Sequence, residues 1–276
     1  MYACGVALAG VLGRPWIDLE TELDLAGLDE VHDEVCLALT QVAVDYTGGS
    51  HRSMGIVPPS RESEPWVDYG EVIEAMTDAE FATFVGLADH PEHRAATRGS
   101  TFGEERSVPL SRRQMLWLKY RFGVYFPWKV YVEMIPNLRW EDKSDAEGKS
   151  FTRVARALFP KTIAFVEKLP FARVGRCNLM GLEANDFGTV HRDGVPAEKP
   201  EVDHFVTFCP SRNKTLYLWD EETKTKTAIA SRAYWFNDSD YHGVEAAPFF
   251  RYSIRVDGVF RPAFLEALRA RTGAAA

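Results

Sequence analysis

The stretch Gly188-Thr-Val-His191-Arg-Asp193-Gly194 sets an imidazole and a carboxylate two positions apart after an alternating run. In an extended strand, residues i and i+2 point to one face, so His191 and Asp193 are placed to converge on one small object. A metal ion suits that pair of donors. A third donor must come from another strand, and His242 follows the turn Phe236-Asn-Asp-Ser-Asp-Tyr241. Beyond it, Arg251, Ser253 and Arg255 share a face by the two-residue period. An arginine buried there is costly unless it meets an anion, and its fork of donors suits a carboxylate. Arg251 is the favoured clamp, with Arg255 as the alternative.

The surroundings must place these residues. From Phe171 onward the chain breaks into short alternating runs at 173–182, 187–193, 204–209, 214–220, 225–230, 233–237 and 250–260. Turn signals lie at Asn185-Asp186, Cys209-Pro210-Ser211, Glu221-Glu222 and Asn237-Asp238. Strands at this spacing predict a sandwich or jelly roll with helices outside it. The earlier part reads as helical or irregular, with helices over 27–44, from a Thr77 cap through the late 80s, and over 111–120. A strand follows at 128–135. The segment 139–150 reads as an exposed loop, and 151–169 as helical, with Pro160 as a kink or the first turn of a second helix. The Gly-, Ser- and Pro-rich stretch 47–66 reads as a mobile loop, and its 47–60 part is a candidate lid.

Two histidines and a carboxylate on one side of an iron leave three coordination positions open, the facial arrangement of non-haem Fe(II) oxygenases. His191-x-Asp193, His242 and Arg251-x-Ser253 resemble the motif of the Fe(II)/2-oxoglutarate-dependent oxygenases over roughly 171–260. Within that superfamily they look most like the aspartyl/asparaginyl β-hydroxylase and free proline hydroxylase branch. The resemblance implies an α+β protein with a double-stranded β-helix (jelly roll, cupin-like) core and packed N-terminal helices. The expectation is a single domain over 1–276, mostly helical over 1–125, with the jelly-roll catalytic core at 126–262.

The resemblance also implies that His191, Asp193 and His242 bind Fe(II), that Arg251 pairs with the distal carboxylate of 2-oxoglutarate, and that Ser253 hydrogen-bonds to it. Asn178, on one face with Arg176 and Met180, is a further candidate contact to the cosubstrate. Arg176, His204 and Trp235 are candidates for the substrate pocket, with Tyr217 and Trp219 as lesser ones; a core or supporting role is the competing reading for His204. His90 and His93 have metal spacing, but Pro91 interrupts them and they read as exposed loop. The implied reaction consumes O2 and 2-oxoglutarate and hydroxylates a C–H bond of an amino acid or peptidyl side chain in a biosynthetic pathway. A carboxylate at Asp193 argues against halogenation, for which the related enzymes carry a small residue there. The alternatives are a redox-silent cupin-like isomerase or binding protein and a nucleic-acid demethylase.

Bulk properties set limits on partners. A formal net charge of −8 disfavours a protein that grips a phosphate backbone, so a small-molecule or peptide partner is expected and nucleic acid is not. Cys4, Cys36, Cys177 and Cys209 form no CxxC pair, which predicts reduced thiols and a cytoplasmic location. The apolar run at 2–12 is too short to span a bilayer and predicts a buried strand or helix.

Overall fold

The computed structural model describes residues 8–42, 69–103, 108–127, 129–137, 142–194, 201–211 and 214–274. The candidate lid at 47–60 lies outside them, as does most of the apolar run at 2–12. Ten strands and seven α-helices are described: β1 (Trp16–Asp18), α1 (Leu28–Ala38), α2 (Gly70–Glu74), α3 (Asp78–Gly86), α4 (Arg112–Phe122), β2 (Val130–Ile135), α5 (Arg153–Leu158), α6 (Pro160–Lys168), β3 (Phe171–Leu182), β4 (Gly188–His191), β5 (His204–Phe208), β6 (Leu216–Asp220), β7 (Thr225–Ile229), β8 (Ala233–Phe236), β9 (His242–Val244), β10 (Arg251–Phe260) and α7 (Pro262–Thr272). All strand pairings are antiparallel. They form a six-stranded sheet ordered β1-β8-β5-β10-β3-β2 and a four-stranded sheet ordered β4-β9-β6-β7.

Period two decides what each face of the large sheet carries. Along β10, Tyr252, Ile254 and Val256 alternate with Arg251, Ser253, Arg255 and Asp257, and all are buried. The apolar face is covered by helices: Phe165 of α6 packs on Phe208 at 4.9 Å between ring centroids, and His32 of α1 bonds the Tyr252 hydroxyl at 2.9 Å. The polar face of β10 and β3 looks the other way, toward the small sheet. Cross-strand partners there are Ser253 with Met180, Arg255 with Asn178 and Asp257 with Arg176.

Local signals account for the helices. Thr77 caps α3 and Ser111 caps α4, each in a reciprocal capping box with the residue three positions on. Pro160 opens α6 as its first residue, where its missing N–H costs nothing. The next amides, Lys161 and Thr162, donate to the Glu34 carboxylate of α1 at 2.7 and 2.8 Å, which fastens the two helices together. Helix α1 belongs to the main core, whereas α2, α3 and α4 gather around a separate cluster with Phe84, Met115, Leu118 and Phe126 at its centre. No helix among the described residues is long and apolar enough to cross a membrane.

Three expectations are corrected. β1 was not anticipated: three residues after a proline give no alternation to read. The segment 139–150 is not uniformly exposed, because Lys143 is only 3% exposed. The strand predicted over 187–193 ends at His191, and Asp193 lies in the bend beyond it, so the period of two does not bring them together. Asp193 is set instead by its own amide, which donates to the Asp238 carbonyl at 2.8 Å.

Between His242 and Val244, Gly243 admits no side chain: a Cβ there would lie 2.6 Å from the Tyr217 hydroxyl and 2.9 Å from the Gly188 carbonyl. Gly243→Ala is expected to destabilise the protein by about 1–3 kcal/mol in urea denaturation. Gly86→Ala, where nothing lies within 4 Å, is expected to cost nothing or to stabilise by up to roughly 1 kcal/mol. Equal effects at the two positions would contradict this packing.

Candidate metal centre

The small sheet brings the three candidate donors together. His191 ends β4 and His242 begins β9, and the two are direct cross-strand partners with ring centroids 4.5 Å apart. One ligand atom each from His191, Asp193 and His242 lies within 4.8 Å of the others, and His191 Nε2 is 3.6 Å from Asp193 Oδ1. Both imidazoles are oriented from behind. The Nδ1 of His191 pairs with the Thr189 carbonyl at 2.8 Å, and that of His242 with the Asp240 carbonyl at 2.9 Å. A carbonyl only accepts, so each Nδ1 carries a proton, and in the neutral ring it is Nε2 that presents the lone pair.

Electrostatics favours the same state. Burial pushes the His242 imidazolium down to about 4, which leaves a neutral ring as donor at neutral pH. Burial works against a charged Asp193, but His242 and Arg255 outweigh it and hold the carboxyl below its ordinary value. Two imidazoles and one carboxylate fit a divalent transition metal.

Arg255 fixes the carboxylate. Its Nη1 donates to Asp193 Oδ2 at 3.0 Å, its Nη2 to Asp238 Oδ2 at 2.6 Å and its Nε to Asp257 Oδ1 at 2.9 Å, with the guanidinium over the Phe205 ring at 3.8 Å. With one Asp193 oxygen committed to Arg255, the other is left for the histidines' side. Arg176 holds the far oxygen of Asp257 at 2.8 Å, and Lys143 holds Asp238 Oδ2 at 2.6 Å.

A cavity opens over this triad, lined by Tyr131, Arg176, Asn178, Met180, Thr207, Lys214, Leu216, Phe236, Val244, Ser253 and Arg255 as well as the triad itself. Asn178, Ser253 and Arg176 thus line it. Arg251 does not. It sits next to Leu182, past the cavity end of β10, and its guanidinium is taken up by the carbonyls of Glu183, Asp186, Glu245 and Phe249. The alternative clamp, Arg255, is committed to carboxylates. His204 and Trp235 also lie elsewhere: His204 Nδ1 accepts the Phe260 amide at 3.2 Å, the Trp235 indole donates to the Asp203 carbonyl at 2.8 Å, and both line a second cavity of about 520 Å³ against α7. Tyr217 and Trp219 do not line the cavity over the triad, and Tyr217 instead carries Lys226 over its ring at 4.3 Å.

A third cation on the cavity wall, beside Arg176 and Arg255, is Lys214. Its ammonium donates to Ser253 Oγ at 2.6 Å, and burial pushes its pKa down to about 7. Its signal in the sequence is its parity with Leu216 and Leu218, which lie on the inward face of β6. Asn178 donates to the Tyr131 hydroxyl at 2.8 Å, while its buried Oδ1 has no partner.

No family model and no curated protein matches the sequence. Solved structures similar to it include a 2OG-Fe(II) oxygenase family oxidoreductase from Burkholderia pseudomallei, at 14% identity over 48% of this chain and 70% of that one, with a TM-score of 0.32. A prolyl hydroxylase from Trichoplax adhaerens in complex with a hypoxia inducible factor peptide fragment gives 13% identity, 51% and 65% coverage and a TM-score of 0.29. A viral collagen prolyl hydroxylase from Paramecium Bursaria Chlorella virus-1 gives 10%, 47%, 79% and 0.26. Likenesses of this size carry no weight for the chemistry, which rests on the strand pairings and side chains described above.

Removing the central cation tests this arrangement. Arg255→Met leaves Asp193, Asp238 and Asp257 short of a partner in the interior and is expected to cost roughly 3–5 kcal/mol at pH 7. Burial raises the pKa of the abandoned carboxyls, so protonation relieves them and the deficit should shrink as pH falls toward 5. Urea denaturation at both pH values measures it; a deficit below about 1 kcal/mol, or one independent of pH, would contradict the assignment.

Proposed function

We propose that the protein is an Fe(II)- and 2-oxoglutarate-dependent oxygenase that hydroxylates a C–H bond of an amino acid or peptidyl side chain. The observation that carries this reading is the convergence of His191 and His242, with their Nε2 lone pairs free, on the one oxygen of Asp193 that Arg255 leaves open. The strand sequence supports it: β3, β5, β8 and β10 belong to one sheet and β4, β6, β7 and β9 to the other. That order is the one expected of a double-stranded β-helix, with the triad between the sheets.

His191, Asp193 and His242 would hold the iron, which when bound supplies the oxygen-activating, electron-transfer chemistry that side chains lack. Lys214, rather than Arg251, is the residue we assign to the distal carboxylate of 2-oxoglutarate, with Ser253 beside it. Asn178 and Tyr131 contribute polar groups on the adjoining wall. Leu216, Phe236, Val244 and Met180 supply apolar surface that excludes water and suits an unactivated C–H bond. A retained Asp193 favours hydroxylation over halogenation. The net charge of −8 favours a small molecule or peptide over nucleic acid. The reading stays with the superfamily and does not extend to the aspartyl/asparaginyl branch, since Arg251 of the arginine strand that forms one part of that resemblance is engaged by backbone carbonyls.

Asp193→Ala is expected to abolish succinate formation from 2-oxoglutarate, and retention of full activity would remove Asp193 from the ligand set. Lys214→Met is expected to raise the 2-oxoglutarate concentration for half-saturation at least tenfold, whereas Arg251→Met, if folded, leaves it within about threefold, since losing one charge-assisted bond costs roughly 1.5–3 kcal/mol. The reverse ranking would restore Arg251 as the clamp. Because the anion needs the protonated ammonium, 2-oxoglutarate affinity should be flat below pH 7 and fall by up to tenfold per pH unit above it. In Lys214→Arg, whose guanidinium stays charged, that slope should vanish. Binding titrations across pH 6–9 decide it, and an equal slope in both proteins would refute the role of Lys214.

A further inference from the structure

Lys143 stands outside the cavity lining and comes from the loop between β2 and α5, yet it is among the most buried charged groups of the molecule. Two features hold it there. The loop backbone lies flat on β3 at Gly175, where a Cβ would meet the Lys143 carbonyl at 2.1 Å. Its ammonium bridges Asp203 Oδ2 at 2.5 Å and Asp238 Oδ2 at 2.6 Å.

Asp238 in turn grips the third metal donor from two sides. Its carbonyl accepts the Asp193 amide at 2.8 Å, and its carboxylate anchors the guanidinium that holds Asp193 Oδ2. Asp238 is 0% exposed, so its charge depends on the cations around it. With the ammonium removed, the Asp238 oxygen that Lys143 shares with Arg255 is free to move toward the guanidinium, which shifts Arg255 and with it Asp193.

We propose that Lys143 is a positioning residue for the metal centre, acting through Asp238 and Arg255 to set the orientation of Asp193. The proposal rests on the metal reading of His191, Asp193 and His242, and it adds a residue from a loop that shares no strand with them. The ion pair with Asp238 gives Lys143 a route to Asp193, and coupling along that route can be measured.

The test is a double-mutant cycle on Co(II) binding by the full chain, read from the metal's d–d absorption, with Lys143→Met, Asp238→Asn and the pair. Lys143→Met is expected to change the Co(II) dissociation constant at least fivefold and to alter the band intensities. In the Asp238→Asn background the same substitution is expected to change the constant less than twofold. Lys143→Arg, which keeps the charge, should restore the wild-type spectrum. If Lys143→Met does not fold, the comparison of Asp238→Asn with the double variant decides, since the double variant leaves no buried carboxylate unpaired at position 238. An equal effect of Lys143→Met in both backgrounds, or a difference above fivefold between Asp238→Asn and the double variant, would show a packing role and overturn the proposal. Wild type that binds Co(II) no better than His191→Ala would overturn the metal reading itself, and this proposal with it.

Discussion

A guanidinium buried against three carboxylates is the constraint on which the rest of the molecule turns. β10 and the part of β3 from Gly175 onward are amphipathic, but both of their faces are largely buried, so the charged face has little water to solvate it. Such a face is tolerated only if its charges satisfy one another. Arg255 does so for Asp193, Asp238 and Asp257 at once, and Arg176 and Lys143 complete the pairing at two of those carboxylates. The residue that gains function from this arrangement is Asp193, held by one oxygen with the other turned toward two histidines. Stability and site geometry therefore draw on the same ion pairs.

The helices serve that constraint from outside. By covering the apolar face of the large sheet, α1 and α6 leave the polar face to close against the small sheet. Backbone carbonyls two residues earlier, of Thr189 and Asp240, then set the imidazoles, so that β4 and β9 deliver donors with the proton on Nδ1. A metal meeting such a site has little left to reorganise. At the other side of the cavity stands Lys214, whose ammonium burial pushes down to about 7.

Much of this was legible in the residues, and the exceptions have definite causes. Alternation placed Arg176, Asn178, Met180, Ser253 and Arg255 on one face, and the strand boundaries around them hold. Thr77 and Pro160 announced helix starts that the structure has. Alternation assigns a face, however, and says nothing of where along the strand a cavity stops; Arg251 has the right parity and lies past the end. Lys214 had the right parity too, but a single lysine before an apolar run reads as solvated. Lys143 was hidden more deeply, because its burial depends on a glycine on β3 and two aspartates distant in sequence, none of which a charged loop signals. His191 and Asp193 do converge, although by a bend and an amide bond to Asp238 rather than by strand period.

The central claim is that three side chains bind Fe(II) together with 2-oxoglutarate. The most direct measurement is an anaerobic titration of the apo protein with Fe(II) and then 2-oxoglutarate, following the visible charge-transfer band of the bidentate chelate. The account predicts a band that saturates at one equivalent of iron and is absent in His191→Ala. Metal bound without such a band in the wild type would contradict it and leave a redox-silent, cupin-like binding protein as the better description.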